Sequence, residues 1–168
     1  MNQSVFTIVI DTREQLGYSF ACETVRRKLD AGDYSVVGFE TDVAVERKSL
    51  ADYVHTVIHD FPRFSVELLK LSVMTASCVV VEGDLDAVLR GQAAETLRCA
   101  APESVLGTTL QIIHRYGVPV YWCGSRQAAC AFTEHFLRMF VREEAWRQQQ
   151  LAAQGAAPVS LPWKRRGA

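Results

Sequence analysis

The chain predicts an α/β fold with a central mixed sheet and helices on both of its faces. Three observations carry that expectation. Short apolar runs at residues 5–10, 78–82 and 118–122 have the composition of strands buried on both faces. Between them, apolar residues recur at helical spacing. The order strand, hairpin, helices, strand, helix, strand, helix is that of a sheet covered by helices.

Each element follows from local chemistry. Residues 5–10 are an apolar, β-branched run that ends in Asp11 and reads as a central strand. Residues 12–20 read as a loop with Gly17 as its turn signal, and residues 24–29 fit a strand or a short helix equally well. A turn at Asp30-Ala31-Gly32 leads into two strands, 33–37 and 41–48, joined as a hairpin across 38–40. Ser49 begins a helix to about His59, and Pro62 begins another with Phe64, Leu68 and Leu71 on its core face. A strand over 77–82 precedes a short helix over 84–89 and a loop. Residues 103–116 form a helix with Leu106, Leu110 and Ile113 on one stripe, ended by Gly117. After the third buried strand comes a helix from 126 to about 148, with Ala129, Phe132, Phe136 and Met139 inward. Residues 1–148 therefore form one domain, and 149–168, rich in Ala, Gly and Pro, a flexible tail.

Composition narrows the function. At 168 residues, with 49% hydrophobic and 22% charged, the chain is globular rather than disordered. A net charge of -1 excludes a wholly basic nucleic-acid binder, so any DNA contact must come from local clusters. These are Arg26-Arg27-Lys28, Arg47-Lys48 and Lys164-Arg165-Arg166. Five cysteines, an odd number with no Cys-x-x-Cys pair, argue against structural zinc and a disulfide framework. Cys78 and Cys130 read as small core residues. Neither a signal peptide nor a membrane-spanning run is legible. The expected location is cytoplasmic: at the nucleoid if bacterial or phage, in the nucleus if eukaryotic.

Chemistry concentrates in Gly32-Asp33, Glu46-Arg47-Lys48 and Asp52. Alternation along a strand puts Ala44, Glu46 and Lys48 on one face and Val43, Val45 and Arg47 on the other. Two acids and an amine on one rigid surface can hold a divalent cation beside a polarised water. Each residue also has a plainer role. Asp33 alone could be a turn aspartate, and Glu46 and Lys48 a cross-strand ion pair. The buried character of their strand favours the functional reading. Ser49-x-x-Asp52 is close to a capping box, so the first role of Asp52 is structural and its second catalytic. Arg63, Glu67 and Lys70 suit a solvated helix face. His55 and His59 lack the glutamate of a His-Glu-x-x-His metal site.

These residues resemble the XPF-type nuclease domain, the XPF/Hef family of structure-specific endonucleases. The family pattern is Gly-Asp, a gap, Glu-Arg-Lys, three residues and Asp. Here it is Gly32-Asp33, Glu46-Arg47-Lys48 and Asp52, preceded by Asp11-Thr12-Arg13-Glu14. Leu29, Tyr34, Pro102-Glu103-Ser104-Val105 and Arg115-Tyr116-Gly117-Val118-Pro119-Val120 extend the likeness over residues 5–141. The resemblance implies a restriction-endonuclease-like core. It makes Asp33 and Glu46 metal ligands for Mg²⁺ or Mn²⁺, with Asp11 a further acid and the Arg47 carbonyl completing the site. Lys48 would orient the water, and Arg13 would partner a phosphate or an acid. Glu14 either supports Arg13 or binds metal. Arg47 forms either a structural ion pair or a phosphate contact. Arg63, Arg27 and Lys28 are candidate DNA contacts.

Two departures stand out. Pro62-Arg63 replaces the family's Gly-Arg, and nothing after residue 141 could build the helix-hairpin-helix module of eukaryotic members. The implied activity is metal-dependent hydrolysis of DNA at branched, flap or junction structures. The alternatives are a catalytically silent DNA-binding scaffold subunit and a phage or mobile-element nuclease. A homodimer or partner subunit is expected through the C-terminal helices, because Phe132, Phe136, Leu137, Phe140 and Val141 exceed what one buried face needs.

Overall fold

β-branched side chains set the middle of the sheet, and the acidic and basic residues collect at its strand ends. The computed structural model describes residues 6–91 and 100–153. Strand β1 is Thr7–Ile10, β2 Glu23–Arg26, β3 Tyr34–Val36, β4 Val43–Ser49, β5 Ala76–Glu82 and β6 Val120–Trp122. Helix α1 is Leu50–His59, α2 Phe61–Ser72, α3 Leu85–Leu89, α4 Pro102–Gln111 and α5 Arg126–Ala153, with a π-helical turn at Ile112–Tyr116. The strand order is β2-β1-β3-β4-β5-β6. β3 runs antiparallel to β1 and β4, while the pairs β1–β2, β4–β5 and β5–β6 are parallel. The sheet is therefore mixed, as expected.

Period-two alternation divides two cores across this sheet. On one side Ala44, Val79 and Val81 pack under α1, α2 and α4 through Tyr53, Val57, Phe64, Leu68, Leu71 and Val105. On the other, Val43, Val45, Cys78 and Val80 meet α5 through Ala129, Leu137 and Phe140, beside Tyr18 and Tyr34. Helices thus cover both faces. Ser49 caps α1 as the sequence implies: its Oγ accepts from the Asp52 amide at 3.2 Å and donates to Asp52 Oδ2 at 2.6 Å.

Several expectations are corrected. Residues 24–29, open between strand and helix, contain the edge strand β2. The run 118–122 is not a buried central strand, because β6 is the far edge of the sheet and Tyr121 is exposed. In α4 the buried positions are Val105 and Thr109, followed by Ile112, while Leu110 and Ile113 are exposed. The stripe is displaced because Thr109 can go inward. Its hydroxyl bonds the Val105 carbonyl at 2.8 Å and lies 2.8 Å from Tyr53 Oη, so no polar group is left unsatisfied. On α5 the buried set is Ala129, Thr133, Leu137 and Phe140, with Met139 exposed. Phe132, Phe136 and Val141 are partly buried against the same core as Leu137 and Phe140, so the apolar surplus read as an interface packs within the chain. The helix also runs on to Ala153, through a Gln-, Leu- and Ala-rich stretch of good helix formers. The tail beyond it, with Lys164-Arg165-Arg166, and Cys99 lie outside the described residues.

Candidate active site

The start of β3 and the end of β4 lie side by side and build the site. Asp33 immediately precedes β3, and hydrogen bonds hold it on three sides. Its amide donates to the Val45 carbonyl at 2.9 Å, its carbonyl accepts from the Asp11 amide at 2.8 Å, and its Oδ2 accepts from the Arg47 amide at 2.8 Å. Beyond Ala44, the strand clears the apolar core, and the same face carries Glu46 and Lys48. Lys48 Nζ lies 3.1 Å from Glu46 Oε1 and 5.1 Å from the centre of the Phe64 ring. Glu46 is buried; Asp33 and Lys48 are partly so.

These side chains open into a groove of about 650 Å³ that follows the α1–α2 corner past His55, Thr56 and Arg63. A second hollow of about 300 Å³ continues past Glu14, Gln15 and Leu16. Arg13, Asp33, Glu46, Lys48 and Asp52 line both, so they stand where the two meet. Burial, with the Glu46 charge beside it, pushes the Asp33 carboxyl up to about 8. Burial also raises Glu46, the Lys48 ammonium opposes that rise, and the Glu67 charge adds to it. Two carboxylates that resist ionising side by side are poised to accept a positive charge.

The other predicted residues are distributed as follows. Asp11, expected as a further acid at the centre, has both oxygens engaged. Oδ1 accepts from the Arg13 amide at 2.8 Å and Arg13 Nε at 2.7 Å, and Oδ2 from the Leu29 amide at 2.6 Å. Burial works to raise its carboxyl, but these hydrogen bonds outweigh it and hold the group below the usual range. Asp11 lines neither hollow. The i,i+2 spacing of Asp11 and Arg13 is the one sequence signal for this turn. Arg13 also donates to the Leu29 carbonyl at 3.0 Å and keeps an exposed flank in the groove. Glu14 Oε1 accepts from the Leu16 amide at 2.7 Å and lies 3.8 Å from Arg47, so it braces the loop.

Arg47 points to the opposite face, as alternation requires, and pairs two-pronged with Glu82: Nε to Oε1 at 2.9 Å and Nη2 to Oε2 at 2.8 Å. Of the two roles left open for it, the geometry is that of the structural ion pair. Arg63 is exposed on the groove, near Asp60 at 3.8 Å. Arg27 pairs with Glu40, and neither Arg27 nor Lys28 lines the groove.

Glu82, Arg126, Glu67 and Lys70 complete the surroundings; sequence reasoning missed the first two and read the others only as a solvated helix face. Arg126 Nη1 donates to Glu82 Oε1 at 3.0 Å, Nη2 holds the Leu16 and Gly17 carbonyls, and the guanidinium lies 4.9 Å from the Tyr18 ring centre. This cluster fastens the 12–20 loop to the back of β4 and β5. Its partners are 35 and 44 residues from Glu82, so no local pattern announces it. Because the Arg47 and Glu82 side chains are about nine-tenths buried, Glu82→Ala is expected to cost about 3–5 kcal/mol by leaving a buried guanidinium with only the 3.8 Å contact to Glu14. Urea unfolding checks this. Arg47→Lys should also be destabilised, since an ammonium cannot reproduce the two-pronged pair.

Gly32 deserves its identity for a steric reason. Its φ is +74°, and an added Cβ would stand 2.9 Å from Ala44 Cβ and 3.2 Å from the Val45 carbonyl oxygen. Gly32→Ala should therefore lose at least ~2 kcal/mol of stability and displace the neighbouring Asp33. Thermal unfolding of the variant reads the first effect, and an unchanged midpoint would contradict the packing described.

The donor set can be matched to an ion. Among the described residues no three His, Cys, Asp or Glu side chains gather into a metal cluster. Where the two hollows meet, the groove offers a carboxylate pair, Asp33 and Glu46, whereas His55 lines only the larger hollow. Oxygen donors of this kind fit a hard divalent cation such as Mg²⁺ or Mn²⁺, with open positions for water and substrate.

Similarity to known proteins agrees with the fold. No curated protein matches the chain. Solved structures do, among them XPF from Aeropyrum pernix, at 19% identity and TM-score 0.62, covering 88% of this chain and 72% of that one. The same protein in complex with DNA matches at 18% identity and TM-score 0.62, over 82% of this chain and 66% of that one. That likeness makes the core a restriction-endonuclease-like fold. A family model, the ERCC4 domain, matches residues 10–136, which contain every acid and the lysine that line the groove. Spanning most of the sequence and the whole sheet but its first residues, that match establishes the chain as a member of the ERCC4 domain family.

Proposed function

We propose that the protein is a divalent-metal-dependent endonuclease that hydrolyses phosphodiester bonds in branched, flap or junction DNA. The observation that carries this reading is the meeting of Asp33, Glu46 and Lys48 where the two hollows of the groove join. Asp33 and Glu46 would hold Mg²⁺ or Mn²⁺. Bound there, the cation supplies Lewis acidity at the scissile phosphate.

The protein's own groups do the rest. Lys48 holds a positive charge within reach of Glu46, where it can orient a water and offset charge that develops on the phosphate. Arg13 and Arg63, exposed along the groove, meet the flanking phosphates. Asp52 keeps the capping bond to Ser49 and so orients α1 at the groove wall. Asp11 and Arg47 act through the backbone: the Asp11 amide holds the Asp33 carbonyl and the Arg47 amide holds its carboxylate. Residues 1–148 would be the catalytic domain.

The deciding experiment is cleavage of a panel of forks, flaps, bubbles and four-way junctions with Mg²⁺, beside unbranched duplex. Preferential cutting of branched substrates, abolished by EDTA, supports the proposal. No cutting of any substrate with Mg²⁺ or Mn²⁺ removes it. A homodimer or partner subunit is part of the same proposal, supported now by exposed Met139 and Trp146 on α5. Sedimentation showing a monomer at high concentration would remove the homodimer.

A further inference from the structure

We infer that Glu67 is a positioning residue for the Asp33–Glu46 pair, acting through the Gly32 amide with Lys70 as its brace. The inference rests on the proposed function in taking that pair as the catalytic centre.

Helix α2 reaches across to the turn that delivers Asp33. Glu67 Oε1 accepts from the Gly32 amide at 2.7 Å. One helical turn on, Lys70 Nζ donates to the Asp30 carbonyl at 2.9 Å and lies 3.7 Å from Glu67 Oε2. Two side chains of one helix therefore grip the peptide groups on either side of Ala31, which is itself fully buried. Gly32 needs such a grip. With a φ of +74° and no side chain, it has no rotamer of its own to fix the Ala31–Gly32 peptide, which precedes the one leading into Asp33.

Position and charge separate this role from general stability. Phe64, Leu68 and Leu71 anchor α2 to the core without help from Glu67. Removing the Glu67 carboxylate thus leaves the helix docked and frees only the turn. Glu67 also lines the groove, and its charge reaches both Glu46 and Arg13. It is not a further ligand, because its oxygens face the Gly32 amide and Lys70. Catalytic groups must be held to about half an ångström, so a loosened Gly32 peptide should slow the chemical step more than it weakens substrate binding.

The test compares Glu67→Ala with Glu67→Gln, whose amide oxygen can still accept from Gly32. In the free protein, hydrogen exchange at the Gly32 amide reports the grip directly. Glu67→Ala should speed that exchange at least ~10-fold and lower kcat roughly 10- to 100-fold with KM changed less than about twofold. Glu67→Gln should restore most of both. Parental Gly32 exchange in Glu67→Ala overturns the inference. So does a Glu67→Gln variant as impaired as Glu67→Ala, which would assign the effect to charge rather than to the bond. If the parent cuts no DNA, the proposed function fails by itself, and Gly32 exchange still decides whether Glu67 holds the turn.

Discussion

Asp33→Asn should abolish cleavage and, at neutral pH, make the protein more stable. Both effects have one cause. Asp33 sits in a partly buried place beside Glu46, and burial plus that neighbouring charge push its carboxyl up to about 8. In the unfolded chain the same group ionises near its ordinary value of 3.8. Between those two values the folded protein keeps a proton that the unfolded chain releases. The stability this proton contributes is complete below about 4 and is lost as pH rises through about 8. Asparagine carries no charge, so the penalty disappears, and its side-chain oxygen can still accept from the Arg47 amide. At pH 7.5 the gain should be on the order of 2 kcal/mol, a rise in Tm of roughly 4–8 °C for a chain of this size.

The same substitution removes one of the two carboxylates offered to the cation, and cleavage should fall ~10³-fold or more. Thermal unfolding from pH 5 to pH 8.5 tests the first half. The parent should lose stability across that range more steeply than Asp33→Asn. Adding Mn²⁺ should raise the Tm of the parent and not that of the variant. A variant less stable than the parent at pH 7.5 would mean that Asp33 carries a satisfied charge, not a strained one. A variant that cuts normally would remove it from the catalytic centre.

How far the sequence could be read depended on the range of the interaction. Alternation along β4 is fixed by covalent geometry, so the placing of Glu46 and Lys48 on one face and Arg47 on the other could be read directly. The same holds for Ser49 and Asp52, whose bond spans three residues. Asp11 shows the limit. Its partners are Arg13, two residues away, and Leu29, eighteen away, and only the folded loop brings the second to it. Glu82 and Arg126 were invisible for the same reason: the register of parallel β4 and β5, which sets Arg47 beside Glu82, is not written in either strand alone. Glu67 and Lys70 match an ordinary exposed helix face at i,i+3, and only the turn opposite gives them different work. On α4 the inward stripe slipped because Thr109 can be buried once its hydroxyl has partners, which hydropathy does not foresee; the burial of Thr133 on α5, whose hydroxyl has no such partner, has no like account.

Lys48→Met should separate ion binding from chemistry. Methionine keeps an unbranched apolar stem and removes the ammonium, which lies 5.1 Å from the centre of the Phe64 ring. That ammonium lies 3.1 Å from Glu46 Oε1, where it does two opposing things. It favours the ionised form of Glu46, because it counters part of the rise that burial imposes. It also repels any cation that Glu46 helps to bind. As pH rises and Glu46 has less need of help to ionise, the repulsion should dominate, and Lys48→Met should bind Mn²⁺ at least as tightly as the parent. Cleavage should nevertheless fall about 10²- to 10⁴-fold, the range lost with a positioned proton-transfer or charge-stabilising group. Calorimetry with Mn²⁺ and single-turnover cleavage of a forked duplex give the two numbers independently. Loss of Mn²⁺ binding would make Lys48 a support for the carboxylates rather than a group at the phosphate. Parental cleavage in the variant would mean that the ammonium serves only the ion pair with Glu46, and the water would then have to be oriented by Arg13, the other cation that lines both arms of the groove.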